Sequence, residues 1–342
     1  MPIENLDLSE LTSRINAADL TWRVREVPAD EAHGLGHEPA AADQIAAATE
    51  LGTSLLTQLR AERVGVVLSR KIDWNDIITH LRLRPTDFDW RDHGAIGPVQ
   101  NQGWCGSCVS FATTGLVGAQ AEIELGIANL HLSEADQHFC SSHGANCGGW
   151  NNHDALDQIR TRGVVTDSAF PYMTAFDSPP QVTDPADPNS LWRAYCRPEP
   201  FRWLHEYKIT NFMAHTGDDR KTYLSTVGPM VCGFTVYQDF DHYAGGVYKH
   251  VWGDVRGGHA VLVVGYSDTD GAWICRNSWG TGFGGPAHAD GTGAGFFKIA
   301  YGDSNIDGEA FYGCRGVVAP HLIDFRIPDV SNIRIQRTII PG

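Results

Sequence analysis

The first apolar positions of the chain fall at helical spacing. Leu8, Leu11, Ile15 and Leu20 lie on one face of a predicted amphipathic helix ending near Thr21-Trp22. A second predicted helix covers residues 40–63, rich in alanine and leucine with few breakers. Between them, residues 28–39 carry proline, glycine and two histidines and read as a loop. Residues 109–125 again place apolar side chains at helical spacing and stop at Gly126, and 154–161 predict a shorter helix before Gly163. From about Phe201 the period changes. Short apolar runs at 230–237, 260–266, 273–275 and 296–300, punctuated by glycine, predict strands. A helical half followed by a sheet half predicts an α+β protein with its cleft between two subdomains. The expected division is an N-terminal segment at 1–84, a helical part at 85–200, a sheet part at 201–318 and a proline-bounded tail at 319–342.

Composition narrows this picture. The 342 residues are 42% hydrophobic and 20% charged, as in a soluble globular protein. A net charge of −15 speaks against a nucleic-acid partner, because phosphate binding needs a basic surface. No apolar run approaches the length of a membrane span. Residues 1–20 show no secretory signal, yet eight cysteines suggest bridges that a reducing cytosol disfavours. The expectation is a secreted protein, or one in an acidic or oxidising compartment.

Three separated segments carry the candidate chemistry: Gln102-Gly103-Trp104-Cys105-Gly106-Ser107-Cys108, Gly257-Gly258-His259-Ala260 and Arg276-Asn277-Ser278-Trp279-Gly280. A thiol nucleophile needs a base to take its proton and a group to hold that base. Cys108 lies where a loop meets a predicted helix start, where free N–H groups and the helix dipole favour a thiolate. His259 is the candidate base, Asn277 its orienter and Trp279 a screen from water. Gln102 and the Cys108 N–H would stabilise an oxyanion. Cys105-x-x-Cys108 also suits a thiol oxidoreductase or half a metal site, but that reading leaves the other segments unexplained. A catalytically silent binding module would normally lack one of the three groups, and none is missing.

These segments resemble the active-site segments of papain-family cysteine proteases, in order and approximate spacing. His259 follows Cys108 by 151 residues and Asn277 by 169, slightly beyond the usual interval, and Val109 stands where an aromatic is usual. Gly228-Pro229 through Phe240, followed by Gly246-Val247-Tyr248, is similar to the cathepsin B group in particular, as is a short prosegment with Thr21-Trp22 and Leu51-Gly52-Thr53.

The resemblance implies a papain-like fold and a zymogen whose prosegment, residues 1–84, occupies the cleft as an intramolecular inhibitor. Basic residues at Arg70-Lys71, Arg82 and Arg84 would suit its release. It implies bridges Cys105–Cys147 and Cys140–Cys196, with Cys232, Cys275 and Cys314 left over and Ser304 where a further bridging cysteine would align. Gly148, Gly149 and Gly258 would present backbone to an extended substrate, and Trp150 would wall the pocket for the second residue before the cleaved bond (P2). Glu309 would sit at that pocket's base and accept arginine as well as apolar side chains. Residues 176–189, rich in proline and aspartate, hold neither histidine nor cysteine, so the loop that captures a substrate carboxy terminus in cathepsin B is not expected. The implied activity is that of an endopeptidase, with a cathepsin B-like dipeptidyl carboxypeptidase as the alternative. Partners would be protein or peptide substrates, and no metal or organic cofactor is implied.

Overall fold

A computed structural model of the chain describes residues 7–27, 33–69, 84–175, 196 and 200–320. The expected insertion at 176–189, Arg70-Lys71, Arg82 and most of the tail lie outside the described residues.

Helix α1 (Leu8–Ala17) starts at Asp7, whose Oδ1 accepts the Ser9 amide at 2.8 Å, and buries Leu11 and Ile15. It stops earlier than its apolar pattern predicts. Asp19 takes a left-handed φ of 53°, and Thr21-Trp22 follow as extended chain. Helix α2 (Ala42–Ser69) runs several residues beyond the predicted end.

The central helix α3 (Cys108–Leu125) is buried around most of its circumference and ends at Gly126, which is left-handed at φ 68°. Two short helices flank it. In α4 (Glu134–Phe139) Ser133 Oγ accepts the Asp136 amide, and in α5 (Asn152–Thr161) Asn151 Oδ1 accepts the Asp154 amide, both at 2.9 Å. Helix α6 (Asp219–Thr226) belongs to the second half.

Among the described residues nine strands form one sheet: β1 (Asp87–Asp89), β2 (Val164–Val165), β3 (Glu206–His215), β4 (Met230–Tyr237), β5 (Val247–Tyr248), β6 (Val255–Ser267), β7 (Ala272–Arg276), β8 (Phe296–Ala300) and β9 (Phe311–Val318). Their order is β2-β3-β9-β4-β6-β7-β8-β5, with β1 added alongside β6. All pairs are antiparallel except β5 with β8. Strands β3 and β9 were not singled out by the sequence pattern. The fold is thus α+β, with the helical half and the sheet half that the apolar spacing predicts. Among the described residues no helix is long and apolar enough to cross a membrane.

Two apolar clusters meet at the sheet. One gathers α3 and α5 with one face of β6 and β9; the other is aromatic, built around Phe240, Tyr243, Phe283 and Phe297. The N-terminal segment inserts Leu11, Ile15, Trp22 and Leu56 into the aromatic cluster. Each such side chain contributes about 1.5–3 kcal/mol when fully buried. The segment is therefore part of the core.

Arg276, at the end of β7, is buried and donates from Nη1 to the carbonyls of Gly97 (3.0 Å) and Pro98 (3.4 Å). Burial lowers its pKa to about 10, partly offset by Glu134. A Cβ on Gly115 of α3 would stand 1.8 Å from Arg276 Nη2, which is held too firmly to swing away. Gly115→Ala should destabilise the chain by about 1–3 kcal/mol, measured as a lowered denaturation midpoint with unchanged slope.

Candidate active site

Local folding brings the three sequence segments together. Cys108 opens α3 with its side chain wholly buried, and its Sγ accepts the Ala260 amide at 3.4 Å. Strand β6 carries His259 opposite Phe234 of β4 and Ala260 opposite Gly233. His259 Nε2 lies 2.8 Å from Asn277 Oδ1, the residue just past β7. The Trp279 ring lies against the imidazole, centroids 4.8 Å apart. His259 Nδ1 is buried with no hydrogen-bond partner. Since Nε2 is committed to Asn277, Nδ1 is the nitrogen left for proton exchange.

Gln102 is oriented from two sides. Its Oε1 accepts from Ser278 Oγ at 2.6 Å, which fixes the amide so that Nε2 donates to the carbonyls of Gly34 and Cys105, each at 2.9 Å. Ser278 thus joins the site; the sequence named it only as part of a motif.

Residues 34–38 of the N-terminal segment cross this cleft as extended chain. Gly258 O accepts the amides of Gly36 (3.1 Å) and His37 (3.0 Å), Trp150 N–H donates to Gly36 O (2.7 Å) and Trp150 O accepts from Glu38 (2.8 Å). The pairing of His37 with Trp150 is parallel. Gly258 thus offers its carbonyl to the N-terminal segment, whereas the amides of Gly148 and Gly149 are held by Asn146 through Oδ1 and O. The main-chain bonds on the other side of the strip come from Trp150. Its ring is buried, edge-on to His138 at 6.3 Å.

His37 points into a pocket of which Gly233 and Glu309 form part. A Cβ on Gly233 would stand 1.9 Å from His37 Nε2, and Glu309 Oε2 lies 3.7 Å from that atom. Gly233 went unnoticed in the sequence because its role exists only through its register beside Ala260. His33 stacks on Trp279 at 4.8 Å and 7°.

Burial dominates the electrostatics. The Cys108 thiol is pushed up to about 11, although the amides of Ala260, Gly36 and Val109 favour its anion. His259 is lowered to about 3 by burial, against the favourable Asn277 bond, with His33, His37 and Arg256 adding repulsion. Burial of Cys108 thus opposes the thiolate that a helix start favours.

Two disulfides staple the helical part, Cys105–Cys147 and Cys140–Cys196. Cys232, Cys275 and Cys314 are buried free thiols.

Comparison with known proteins agrees with this geometry. The family model described as papain family cysteine protease matches residues 84–313, and the chain belongs to that family. Fruit bromelain from Ananas comosus is 30% identical, aligned over 72% of this chain and 65% of its own length. Cathepsin B-like cysteine proteinase 3 from Caenorhabditis elegans is 30% identical over 67% of this chain and 65% of its own. The chain thus spans just under two thirds of these relatives. Its fold is similar to proCathepsin B S9 from Trypanosoma congolense (TM-score 0.62, 20% identity, 92% of this chain and 100% of that one). It is also similar to digestive procathepsin L2 proteinase from Tenebrio molitor (TM-score 0.61, 23% identity, 90% and 89%). The likeness includes the N-terminal segment, which is hereafter called the prosegment.

With its pKa pushed up to about 11 by burial, the Cys108 thiol stays protonated at neutral pH. Iodoacetamide should label Cys108 in the full chain at least ~100-fold more slowly than after prosegment removal, measured by mass spectrometry of the Cys108 peptide.

Proposed function

We propose that the chain is the zymogen of a cysteine endopeptidase of the cathepsin B-like kind, working outside the cytosol or in an acidic compartment. One observation carries the reading. A peptide carbonyl, that of Gly34, lies on the Gln102 amide beside a buried cysteine, and an Asn-held imidazole is anchored in the same cleft.

In this reading the thiol transfers its proton to His259 Nδ1 once water enters the vacated cleft. The sulfur attacks the scissile carbonyl, and Gln102 Nε2 with the Cys108 N–H holds the oxyanion. His259 then protonates the leaving amine, leaving a thioester. Water, deprotonated by His259, releases the acid. Asn277 keeps the ring aligned throughout, under the cover of Trp279.

The prosegment is coupled to pH through His259. With the cleft filled it titrates near 3; opened to water it returns toward its ordinary 6.5. Between these values the open form binds more protons, so falling pH favours opening, by at most about tenfold per unit for this group. Incubation of the reduced full chain from pH 7 to pH 4 with a peptide library tests the reading. Processing should accelerate below about pH 6.5, internal bonds should be cut without stepwise loss of carboxy-terminal dipeptides, and Cys108→Ala should abolish both. Hydrolysis by Cys108→Ala would refute the assignment; dipeptide release would favour the carboxypeptidase alternative.

The His37 pocket supports a P2 site with Glu309 at its base, 16% exposed. A charge-assisted hydrogen bond from arginine contributes about 1.5–3 kcal/mol. Glu309→Ala should therefore lower kcat/KM for P2 arginine substrates about 10- to 100-fold and leave P2 leucine substrates little changed, measured with paired fluorogenic peptides.

A further inference from the structure

A second strip of prosegment, away from the cleft, occupies a groove with its own recognition chemistry. The Arg23 amide donates to Gly245 O (2.8 Å), Ala244 N–H to Arg23 O (2.7 Å) and Arg25 N–H to His242 O (2.9 Å), with Val24 antiparallel to Tyr243. Trp22, 3% exposed, lies between Tyr243 and Tyr248 at ring distances of 6.5 and 5.4 Å. Its Nε1 finds no hydrogen-bond partner, so the pocket holds an aromatic ring by shape rather than an indole by its N–H. A Cβ on Gly246 would stand 2.8 Å from both Thr21 O and Trp22 Cα; the bare backbone there is what admits the strand. Arg23 Nη2 pairs with Asp290 Oδ2 at 3.3 Å, and Arg25 lies in the field of buried Asp241.

We propose that this groove becomes an exosite for extended substrate segments bearing an aromatic residue followed by basic ones. The proposal rests on the zymogen reading above. Departure of the prosegment uncovers the backbone edge of residues 242–245, an aromatic slot and the Asp290 carboxylate, with Asp241 held by Arg256 behind it. Such an edge takes a new strand through main-chain bonds, and the slot and charges select its side chains. The occupant is substrate because one polypeptide spans both the groove and the cleft. Beneath the surface the buried Phe240 packs on both Tyr248 and Trp279, so the two sites rest on one aromatic core. Trp22 precedes His33, the residue on Trp279, by 11 positions. A single polypeptide therefore reaches both sites. The net charge of −15 favours basic segments.

The test compares two substrates for the processed enzyme that share one cleavage sequence. One carries Phe-Arg-Val-Arg about 10 residues away, at each end in turn, and the other a scrambled tetrapeptide. The exosite substrate should show a KM lowered at least ~5-fold with unchanged kcat at one end. Excess Thr-Trp-Arg-Val-Arg-Glu should erase that advantage without slowing a short substrate, and Asp290→Asn should weaken it. Equal KM values for the two substrates overturn the proposal. Independently, the full chain with Trp22→Ala and Cys108→Ala should bind a fluorescent Thr-Trp-Arg-Val-Arg-Glu peptide, while the same peptide with alanine for tryptophan should not bind. Equal binding of both peptides, or of neither, also overturns it. A chain that hydrolyses no peptide sinks the catalytic reading and leaves the titration to judge the groove; a Trp22→Ala chain that does not fold leaves the kinetics to do so.

Discussion

Desolvation of the Cys108–His259 pair is the constraint on which the rest of the molecule turns. A thiol raised to about 11 and an imidazole lowered to about 3 are both neutral across the physiological range. An ion pair sealed under backbone would lack the hydration that offsets the cost of two buried charges. The filled cleft thus selects the inert protonation state of the same side chains that the open cleft is proposed to use. On the proposed zymogen reading, the prosegment inhibits through the charge state of the groups beneath it as well as by occupying the cleft.

The prosegment holds this position through three kinds of contact. Leu11, Ile15, Trp22 and Leu56 join the aromatic core, residues 34–38 pair with Gly258 and Trp150, and Arg23 with Arg25 lines an acidic edge. Apolar burial supplies most of the stabilisation, main-chain pairing sets direction and register, and the surface ion pair of Arg23 adds little. Because the cleft strip pairs in parallel with Trp150 and places His37 in the pocket near Glu309, it occupies recognition groups through backbone and one side chain.

Much of the architecture was legible in the order of apolar spacing. Helices at 8–17, 42–69, 108–125 and 152–161, and strands at 230–237, 255–267, 272–276 and 296–300, answer to pattern and to glycine or Asx punctuation. The end of α1 was misjudged because Leu20 continues the helical spacing, whereas Asp19 breaks the backbone. Strands β3 and β9 were missed. Each carries polar positions within its apolar run, and the partnership between them bridges about a hundred residues that no local pattern spans.

The sequence by itself singled out Cys108, His259, Asn277, Gln102 and Trp279, each in a context with a local physical meaning, and the fold gathers them in one cleft. It also determined the halves of the fold that carry them. Only the tertiary structure decided the state of those residues. The protonation of the thiol follows from its complete burial, and the orientation of the Gln102 amide follows from Ser278, 176 residues away. Trp150 pairs with the strip at residues 36 and 38, while Asn146 holds the amides of Gly148 and Gly149. Dielectric, hydrogen-bond competition and strand register are properties of neighbours in space, and neighbours in space are what a linear pattern does not record.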